Sequence, residues 1–298
     1  MPELPEVETT TRELRKKLVG LRFISVWSDR EKPVRQAGGL ANFNRAIKGK
    51  KIVKIWRRAK FIVIDIEGPK SIFVHQKISG HLMYGEYQFK KGVWQSKERG
   101  LLKSDPKNQH IRVVFNLSNG YQLALSDLRR FGKVMLVDDE AVENLKEIEA
   151  LGPEPLDISF PEFKKLFVRK KGRIKQVLMD PKFIAGIGNI YADEILWRVN
   201  LHPASRVENL SLADLKNIQR EMIKVLELAI KNKGSSMDDY RTPSGSKGNF
   251  QNLQKAYHRT GLACTKKDGG IIERLVIAGR SAHFCPVHQI RRWPKSKK

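Results

Sequence analysis

The spacing of apolar residues changes once along this 298-residue chain, and that change limits the folds it can adopt. Up to about residue 137, apolar residues alternate with polar ones or form short β-branched runs, as in residues 51–56 and 61–66, which indicates strands. From about residue 158 they recur every three to four residues, which indicates helices. The sequence therefore predicts an α+β fold in which a β-sandwich or barrel precedes a helical region.

Each end of the chain adds a smaller element. Residues from about 5 to 19 have one apolar side and predict a helix in front of the strands. Residues 256–290 contain both cysteines and a β-hairpin pattern. The predicted regions are a β-sandwich domain (1–137), a linker (138–157), a helical domain (158–250) and a C-terminal finger (251–298).

Two segments lack a clear periodicity and are predicted to be irregular. Residues Glu86–Gln109 are highly charged and are expected to form a long exposed loop. Residues 235–250 are rich in Gly and Ser and are expected to be flexible.

The charge of the chain points to a polyanionic partner. Lys and Arg number 57 against 32 Asp and Glu, so the formal net charge is +25, which favours nucleic acid over other partners. A merely basic structural protein is the alternative. No apolar run of the length that spans a bilayer is present, the acidic N-terminus is unlike a signal peptide, and two cysteines fit a reducing cytosol. We expect a cytoplasmic protein.

The first residues carry a possible nucleophile. Pro2 is small enough for Met1 to be trimmed, which would leave a secondary amine at the chain terminus. An α-amino group has a pKa near ~8, compared with ~10.4 for lysine, so more of it is neutral and nucleophilic at neutral pH. Glu3 and Glu6 place carboxylates beside this amine, as Schiff-base chemistry requires. The alternative is an ordinary helix start with Pro5 in the first turn.

Two loop segments could contact nucleic acid. Residues 186–189, GIGN, precede a helix, and glycine-rich turns at helix N-termini can bind phosphate, although most are only turns. Residues 127–132, DLRRFG, place Arg129 and Phe131 between two strands. An aromatic ring beside arginine can wedge into a base stack, and the alternative is a basic turn with a core phenylalanine.

The C-terminal cysteines could bind a metal ion. Cys264, Cys285 and His288 have side chains that zinc prefers, and a structural site needs a fourth ligand. Asp268 is the nearest candidate, with His283 and His258 as others. Arg280 lies five residues before Cys285, where a hairpin tip would form.

Four segments together resemble the bacterial formamidopyrimidine-DNA glycosylases. They are residues 1–9 (MPELPEVET), 127–132 (DLRRFG), 186–194 (GIGNIYADE) and 279–286 (GRSAHFCP). They occur in the family's order, and the resemblance extends from Pro2 to about Gln289. It implies an N-terminal helix with a β-sandwich, a helix–two-turn–helix domain and a zinc-finger-like hairpin. It further implies a monomeric DNA repair enzyme that excises oxidised purines from duplex DNA and then cleaves the abasic site by β,δ-elimination.

The resemblance also implies residue roles. Pro2 matches the nucleophile, Glu3 the acid that assists sugar opening, and Glu6 a second acidic position. Lys60 matches a lysine at the lesion phosphate, and Arg280 matches the finger arginine that holds phosphate. The positions implied to contact DNA are Ile78, His110, Arg129, Phe131, Lys171 and Asn189.

The chain departs from the family pattern at two places. Ile78 stands where the family usually has methionine. The family finger has four cysteines, whereas this chain offers a Cys264, Asp268, Cys285 and His288 set for Zn²⁺, or a zinc-free hairpin held by packing. The family's lesion-recognition loop falls near residues 239–250, where the resemblance is weakest.

Two other functions stay open at this stage. An endonuclease VIII-like enzyme for oxidised pyrimidines is disfavoured by Leu4, where those relatives usually have glycine. A non-catalytic damaged-DNA-binding relative is disfavoured by the intact Pro2, Glu3, Lys60 and Arg280.

Overall fold

The computed structural model describes residues 1–31, 33–34, 38–139 and 146–292. The chain divides into two units by its internal contacts. The first unit contains Met1–Glu149 together with Ala229–Gln251, and the second contains Ala150–Leu228 together with the chain from Asn252 onward. Part of the predicted linker, residues 140–145, lies outside the described residues. Within the described part of the chain, no helix is both long and apolar enough to cross a bilayer.

The first unit begins with helix α1 (Leu4–Leu18). Pro5 occupies its first turn, where a missing N–H costs nothing, and the Glu6 carboxylate accepts a hydrogen bond from the Glu3 N–H at 2.8 Å. The helix buries an apolar face that includes Leu14 and Leu18. Its buried threonines, Thr9, Thr10 and Thr11, each donate their hydroxyl to the carbonyl four residues earlier.

Two antiparallel sheets form the sandwich of the first unit. Their strands, with helix α2 (Leu40–Ile47) between the first two, are β1 (Phe23–Ser28), β2 (Ile52–Arg58), β3 (Phe61–Ile66), β4 (Lys70–His75), β5 (His81–Gly85), β8 (Ile111–Leu117), β9 (Gln122–Ser126) and β10 (Lys133–Asp138). One sheet has the order β1-β8-β9-β5 and the other β10-β4-β3-β2. A single apolar core takes side chains from both sheets and from α1 and α2. The predicted α+β class with an N-terminal β-sandwich is confirmed.

The expected loop at Glu86–Gln109 is wrong. The segment forms the hairpin β6 (Tyr87–Lys90) and β7 (Val93–Ser96), the short helix α3 (Leu101–Ser104) and a 3₁₀ turn at Pro106–Gln109. Lys91 and Gly92 both have positive φ, as a tight hairpin turn requires. The Phe89 and Trp94 rings pair across the hairpin with centroids 5.6 Å apart, and both pack on Trp27. Three aromatic side chains therefore hold this segment in place, although its many charged residues predict an exposed loop.

The Gly- and Ser-rich segment at residues 235–250 has no long regular element, but it is held by hydrogen bonds. Within it, the Thr242 N–H donates to the Ser246 carbonyl at 2.9 Å, and the Gly245 N–H donates to the Thr242 carbonyl at 2.8 Å. Tyr240 and Arg241 are both about 4% exposed. The expectation of a flexible segment is therefore not supported.

The second unit is mainly helical, as predicted. After the short helix α4 (Lys146–Glu149) of the first unit come α5 (Phe160–Leu166), α6 (Ile174–Leu178), α7 (Asn189–Arg198) and α8 (Leu212–Lys231). A capping box between Ser159 and Glu162 begins α5. A C-terminal hairpin follows, with strands β11 (Glu273–Ile277) and β12 (Arg280–Phe284). Its turn, Ala278 and Gly279, again has two positive φ angles.

Candidate functional site

The residues that follow Met1 at the start of the first unit are buried and joined by hydrogen bonds. Pro2 is buried, and Glu3 and Glu6 are 3% and 1% exposed, whereas Met1 is 47% exposed. One Glu6 carboxylate oxygen accepts from the Glu3 N–H and the other from the Ser235 N–H at 2.7 Å. The Glu6 side chain thus fixes the main chain next to Pro2. Removal of Met1 would place a secondary amine in this setting.

Lys60 lies in the tight turn between β2 and β3. The preceding Ala59 has a φ of 52°, and the turn returns the chain so that Phe61 pairs with His75 of β4. Burial first, and then the positive charges of Lys77, Lys60 and Lys133, lower the pKa of His75 to about 3. His75 is therefore neutral at pH 7, and its Nδ1 accepts a hydrogen bond from the Lys77 N–H at 2.9 Å.

A single buried carboxylate joins the two loops that carry Ile78, Arg129 and Phe131. Asp127 is 2% exposed. One of its oxygens accepts from the Ser79 hydroxyl and the other from the Gly132 N–H at 2.7 Å. The Ser79 hydroxyl oxygen in turn accepts from the Arg129 N–H at 2.9 Å. Residues 76–80 and 127–132 are thereby held together as one surface.

This surface presents apolar and basic groups to solvent. Ile78 and Phe131 line one pocket of about 450 Å³ together with Lys77 and Lys133. Phe131 is 45% exposed, and the Arg129 guanidinium lies 5.3 Å from its ring centroid. An exposed aromatic ring with a stacked arginine and a lysine rim suits insertion into a base stack.

His110 lies at the start of β8, beside the same loop. Its carbonyl accepts from the Asp127 N–H at 2.8 Å. Partial burial first, and then the charges of Arg112 and Lys107, lower its pKa. His110 is therefore a neutral hydrogen-bonding group at pH 7 and adds no charge to the surface.

In the second unit, two of the predicted DNA-contacting residues share a basic pocket. Lys171 and Arg280 line a pocket of about 370 Å³ with Lys170, Gly172 and other residues of α6 and the hairpin turn. Arg280 is exposed at the start of β12, and the Asn189 amide donates to the Ser281 hydroxyl at 3.2 Å. The second unit thus brings Lys171, Asn189 and Arg280 to one area, as an anion-binding surface requires.

A buried ion pair supports this area, and sequence analysis missed it. The Lys175 ammonium lies 2.6 Å from the Asp193 carboxylate, with both side chains at most 1% exposed, and it also donates to the Ser281 carbonyl. The other Asp193 oxygen accepts from the His283 main-chain N–H and lies 2.9 Å from its ring Nδ1. The sequence signal for this ion pair is Lys175, which lies among the apolar residues of α6. A charged group at such a position needs a partner of opposite charge.

Four metal-ligating side chains meet at the base of the C-terminal hairpin. The ligating atoms of Cys264, Asp268, Cys285 and His288 all lie within 4.8 Å of one another; we call these residues the ligand group. Cys264 Sγ lies 3.7 Å from His288 Nδ1, and Cys285 Sγ lies 3.6 Å from the Asp268 carboxylate. Ligands of a tetrahedral zinc ion, at bond lengths of about 2.0–2.3 Å, are separated by roughly 3.5 Å.

The surroundings of the ligand group suit a metal ion. His288 Nε2 lies 3.3 Å from the Trp197 carbonyl, so an N–H donated there leaves a lone pair on Nδ1, which faces the Asp268 carboxylate at 2.6 Å and could ligate a metal ion. A hydrogen bond from the Gly270 N–H is the first of the causes that lower the pKa of Asp268 to about 2, so the carboxylate is ionised. His283, one of the other candidates for the fourth ligand, instead contacts Asp193.

The comparisons with known proteins agree with this geometry. Two family models match: the formamidopyrimidine-DNA glycosylase N-terminal domain over residues 1–134 and the formamidopyrimidine-DNA glycosylase H2TH domain over residues 151–241. The formamidopyrimidine-DNA glycosylase of Pelotomaculum thermopropionicum is 38% identical over 97% of this chain and 99% of its own length. That of Desulforamulus reducens is 36% identical over 96% and 98%.

Solved structures show the same likeness. The Lactococcus lactis Fpg in complex with DNA that contains an abasic site has a TM-score of 0.83 and 30% identity, with coverage of 96% of this chain and 99% of that one. A MutM structure with DNA that contains carbocyclic 8-oxo-G has a TM-score of 0.83 and 30% identity, with coverage of 97% and 99%.

Proposed function

The chain belongs to the formamidopyrimidine-DNA glycosylase family, and from this premise we propose that it excises oxidised purines from duplex DNA and then cleaves the abasic strand. Membership makes it a DNA glycosylase of base excision repair with abasic-site lyase activity. The observation that carries the residue assignment is the buried chain terminus, where Pro2 adjoins Glu3 and Glu6.

The chemistry follows from a free Pro2 amine. The nitrogen attacks C1′ of the damaged nucleotide, the glycosidic bond breaks, and the base leaves with a proton. Glu3 then delivers a proton to the sugar ring oxygen as the C1′–O bond opens, which gives an iminium between Pro2 and C1′. Loss of the C2′ proton expels the 3′ phosphate, loss of the C4′ proton expels the 5′ phosphate, and water releases Pro2. We assign Lys60 and Arg280 to the phosphates.

The target base is hidden in the duplex and must be extruded at a cost of a few kcal/mol. We propose that Ile78 and Phe131 fill the vacated space and that Arg129 contacts the orphaned base. Asn189, Lys171 and His110 are assigned to the DNA backbone. The net charge of +25 supports this role, because each phosphate contact releases counterions, so affinity falls steeply with salt.

We propose that the ligand group holds one Zn²⁺. Two thiolates, a carboxylate and an imidazole are a donor set that zinc accepts, and their ligating atoms already lie within 4.8 Å of one another. An ion would replace the direct 2.6 Å contact between His288 Nδ1 and the Asp268 carboxylate and would separate these two atoms by about 3.5 Å. The ion would join the two ends of the finger and supply folding energy without taking part in the reaction. The rival is a zinc-free hairpin, and metal analysis distinguishes them: less than about half an equivalent of zinc in the purified protein would refute the site.

The decisive experiment is borohydride trapping on a duplex that contains 8-oxoguanine opposite cytosine. We expect a covalent protein–DNA product that is greatly reduced in Pro2→Gly and absent when an N-terminal extension keeps the Pro2 nitrogen in an amide. No product, or a product unaffected by both changes, would refute the role of Pro2. Preferential trapping on oxidised pyrimidines would favour an endonuclease VIII-like preference, and binding without turnover would favour a non-catalytic relative.

We further propose that the enzyme acts as a monomer on DNA in the bacterial cytosol, as expected for an enzyme that repairs chromosomal lesions one at a time. Light scattering of the free protein and of its complex with a short duplex tests the stoichiometry. A dimeric mass in either state would contradict it.

A further inference from the structure

Within the first unit, residues 235–246 lie against the chain terminus and are fixed there by residues 101–109; we call the former the returning segment. We propose that Asp105 and Asn108 are positioning residues for base excision, because they hold the returning segment as the wall beside the Pro2 amine. This inference rests on the proposed function. The family resemblance already implies a lesion-recognition loop near residues 239–250; what is new is that Asp105 and Asn108 hold this segment in place. Their effect should therefore be specific to the damaged base, which an abasic site lacks.

The returning segment contacts Glu6 directly. The Ser235 N–H donates to the Glu6 carboxylate, and the buried Tyr240 hydroxyl donates to the Glu6 carbonyl at 3.2 Å. A Cβ on Gly234, the residue just before the returning segment, would lie only 2.7 Å from the Glu6 carboxylate, so the main chain there also approaches Glu6 closely. Since Glu6 also binds the Glu3 N–H, the returning segment borders the few residues that carry the proposed nucleophile.

A buried ion pair fixes the returning segment to the 101–109 region. The Arg241 Nε lies 2.6 Å from the Asp105 carboxylate, and the two side chains are 5% and 13% exposed. Arg241 also donates to the carbonyls of Asp238 and Tyr240 at 3.2 and 2.8 Å. One guanidinium therefore ties the main chain of the segment to Asp105. Burial raises the pKa of Asp105, but the hydrogen bond from Arg241 and other positive contacts outweigh it, so the net pKa is lowered.

Asn108 provides the second attachment. Its amide donates to the carbonyls of Leu101 and Gly245, at 2.8 and 3.1 Å. Its oxygen lies 2.9 Å from Nε2 of the buried His81, whose pKa is lowered to about 4 by burial, so a neutral imidazole donates to it. A Cβ on Gly245 would lie 2.7 Å from the Asn108 amide nitrogen, so only glycine permits this approach.

Two further contacts complete the attachment. The Lys107 ammonium lies 2.5 Å from the Asp239 carboxylate. The Pro243 carbonyl accepts from the Tyr84 N–H of β5 at 2.9 Å. The segment is therefore attached at every second residue from 239 to 245. This spacing fixes its conformation before any substrate binds.

The experiment compares base excision with abasic-site cleavage in Asp105→Asn, Asp105→Glu and wild type. The Asp105 carboxylate accepts a hydrogen bond from the Lys107 N–H at 2.9 Å. Asp105→Asn keeps an oxygen that can accept this bond but removes the negative charge that faces Arg241. Arg292→Gln is the control, because it breaks the Arg292–Asp214 ion pair in the second unit and none of the contacts above. Single-turnover rates are measured on an 8-oxoguanine duplex and on an abasic duplex, with amide hydrogen exchange of residues 239–246.

We expect Asp105→Asn to speed exchange at the Thr242 and Gly245 amides and to slow base excision about tenfold, with abasic-site cleavage within about twofold of wild type. Asp105→Glu should restore most of the excision rate, and Arg292→Gln should leave both rates unchanged. Unchanged exchange and excision in Asp105→Asn, or an equal fall in both reactions, would overturn the inference. If wild type itself excises no oxidised base, the proposed function fails, whereas the exchange data still test the attachment by themselves.

Discussion

The 127–132 loop of the first unit and the C-terminal hairpin of the second unit both present exposed basic side chains, but they are held in different ways. The loop is fixed by hydrogen bonds between protein groups, and the Asp127 carboxylate accepts two of them. The hairpin base instead gathers two thiols, a carboxylate and an imidazole, which contact one another and could bind a metal ion. Two exposed basic tips can therefore be held by different means, one by an internal polar network and the other by a group of side chains that could bind a metal ion.

Removal of the proposed zinc ion should produce the largest difference in stability between the two regions. A strong chelator should destabilise the hairpin, because structural zinc sites in small modules contribute about 10–16 kcal/mol, and it should leave the Asp127 loop intact. Loss of one charge-assisted phosphate contact costs about 1.5–3 kcal/mol, so DNA affinity should fall about ten- to a hundredfold. Amide exchange of residues 264–288 and 127–132 checks this. Equal protection of the amides of both regions from exchange after chelation would show that the hairpin does not depend on a metal ion.

Gly270→Ala should reproduce this effect without a chelator. A Cβ at Gly270 would lie 2.3 Å from Cys285 Sγ and 3.0 Å from the Asp268 carboxylate, so the ligand group cannot keep its spacing. We expect zinc content to fall below about half an equivalent. Gly269→Ala is the matched control, since its Cβ would meet nothing within 4 Å and only its positive φ costs about 1 kcal/mol. Full metal content in both variants would contradict the geometry.

Ser79→Ala should affect the loop and not the hairpin. It removes a donor from Asp127 and the acceptor of the Arg129 N–H, so we expect a loss of about 1–3 kcal/mol in stability and a marked loss of duplex excision. Zinc content should not change. Ser71→Ala, which removes another buried hydroxyl that donates to carboxylates, should cost similar stability and keep the excision rate of the remaining folded protein. Equal activity loss in both variants would argue against a positioning role for Ser79.

Ile78→Met should have the smallest effect. Both side chains are apolar and of similar volume, so stability should change by less than about 1.5 kcal/mol, and the more flexible methionine should still fill the extrusion space. We expect excision within about threefold of wild type in single-turnover assays. A change above about tenfold would mean that the shape of Ile78, and not only its apolar character, decides the fit.

Local sequence patterns predicted the elements that depend on neighbouring residues. The strand runs, the helical second region and the β-sandwich followed from the periodicity of apolar residues. The β6–β7 hairpin was missed because its strands are four residues long and their charges hide the Phe89–Trp94 pair. Strands this short, with so many polar residues, have the same sequence pattern as a loop.

Contacts between distant parts of the chain were beyond prediction from one sequence. Asp105 and Arg241 are separated by 136 residues, and Glu6 and Ser235 by 229. Nothing in the local pattern of either partner indicates the other. The ligand group was accessible to sequence analysis because its side chains are chemically unusual. For the buried ion pair, the position of Lys175 among apolar residues indicates that it needs a partner, but nothing in the sequence identifies Asp193 as that partner.

The returning segment also imposes an order on biosynthesis. The ribosome makes the residues that carry the proposed nucleophile first, and the residues that wall it more than 220 positions later. Because domains of nascent chains fold as their residues emerge, the first unit remains an unfinished pocket until residues 229–251 have been synthesised. A truncated translation product that stops before them would expose a reactive terminus without its wall. Synthesis at least as far as residue 251 would thus be a condition for selective chemistry at the proposed nucleophile.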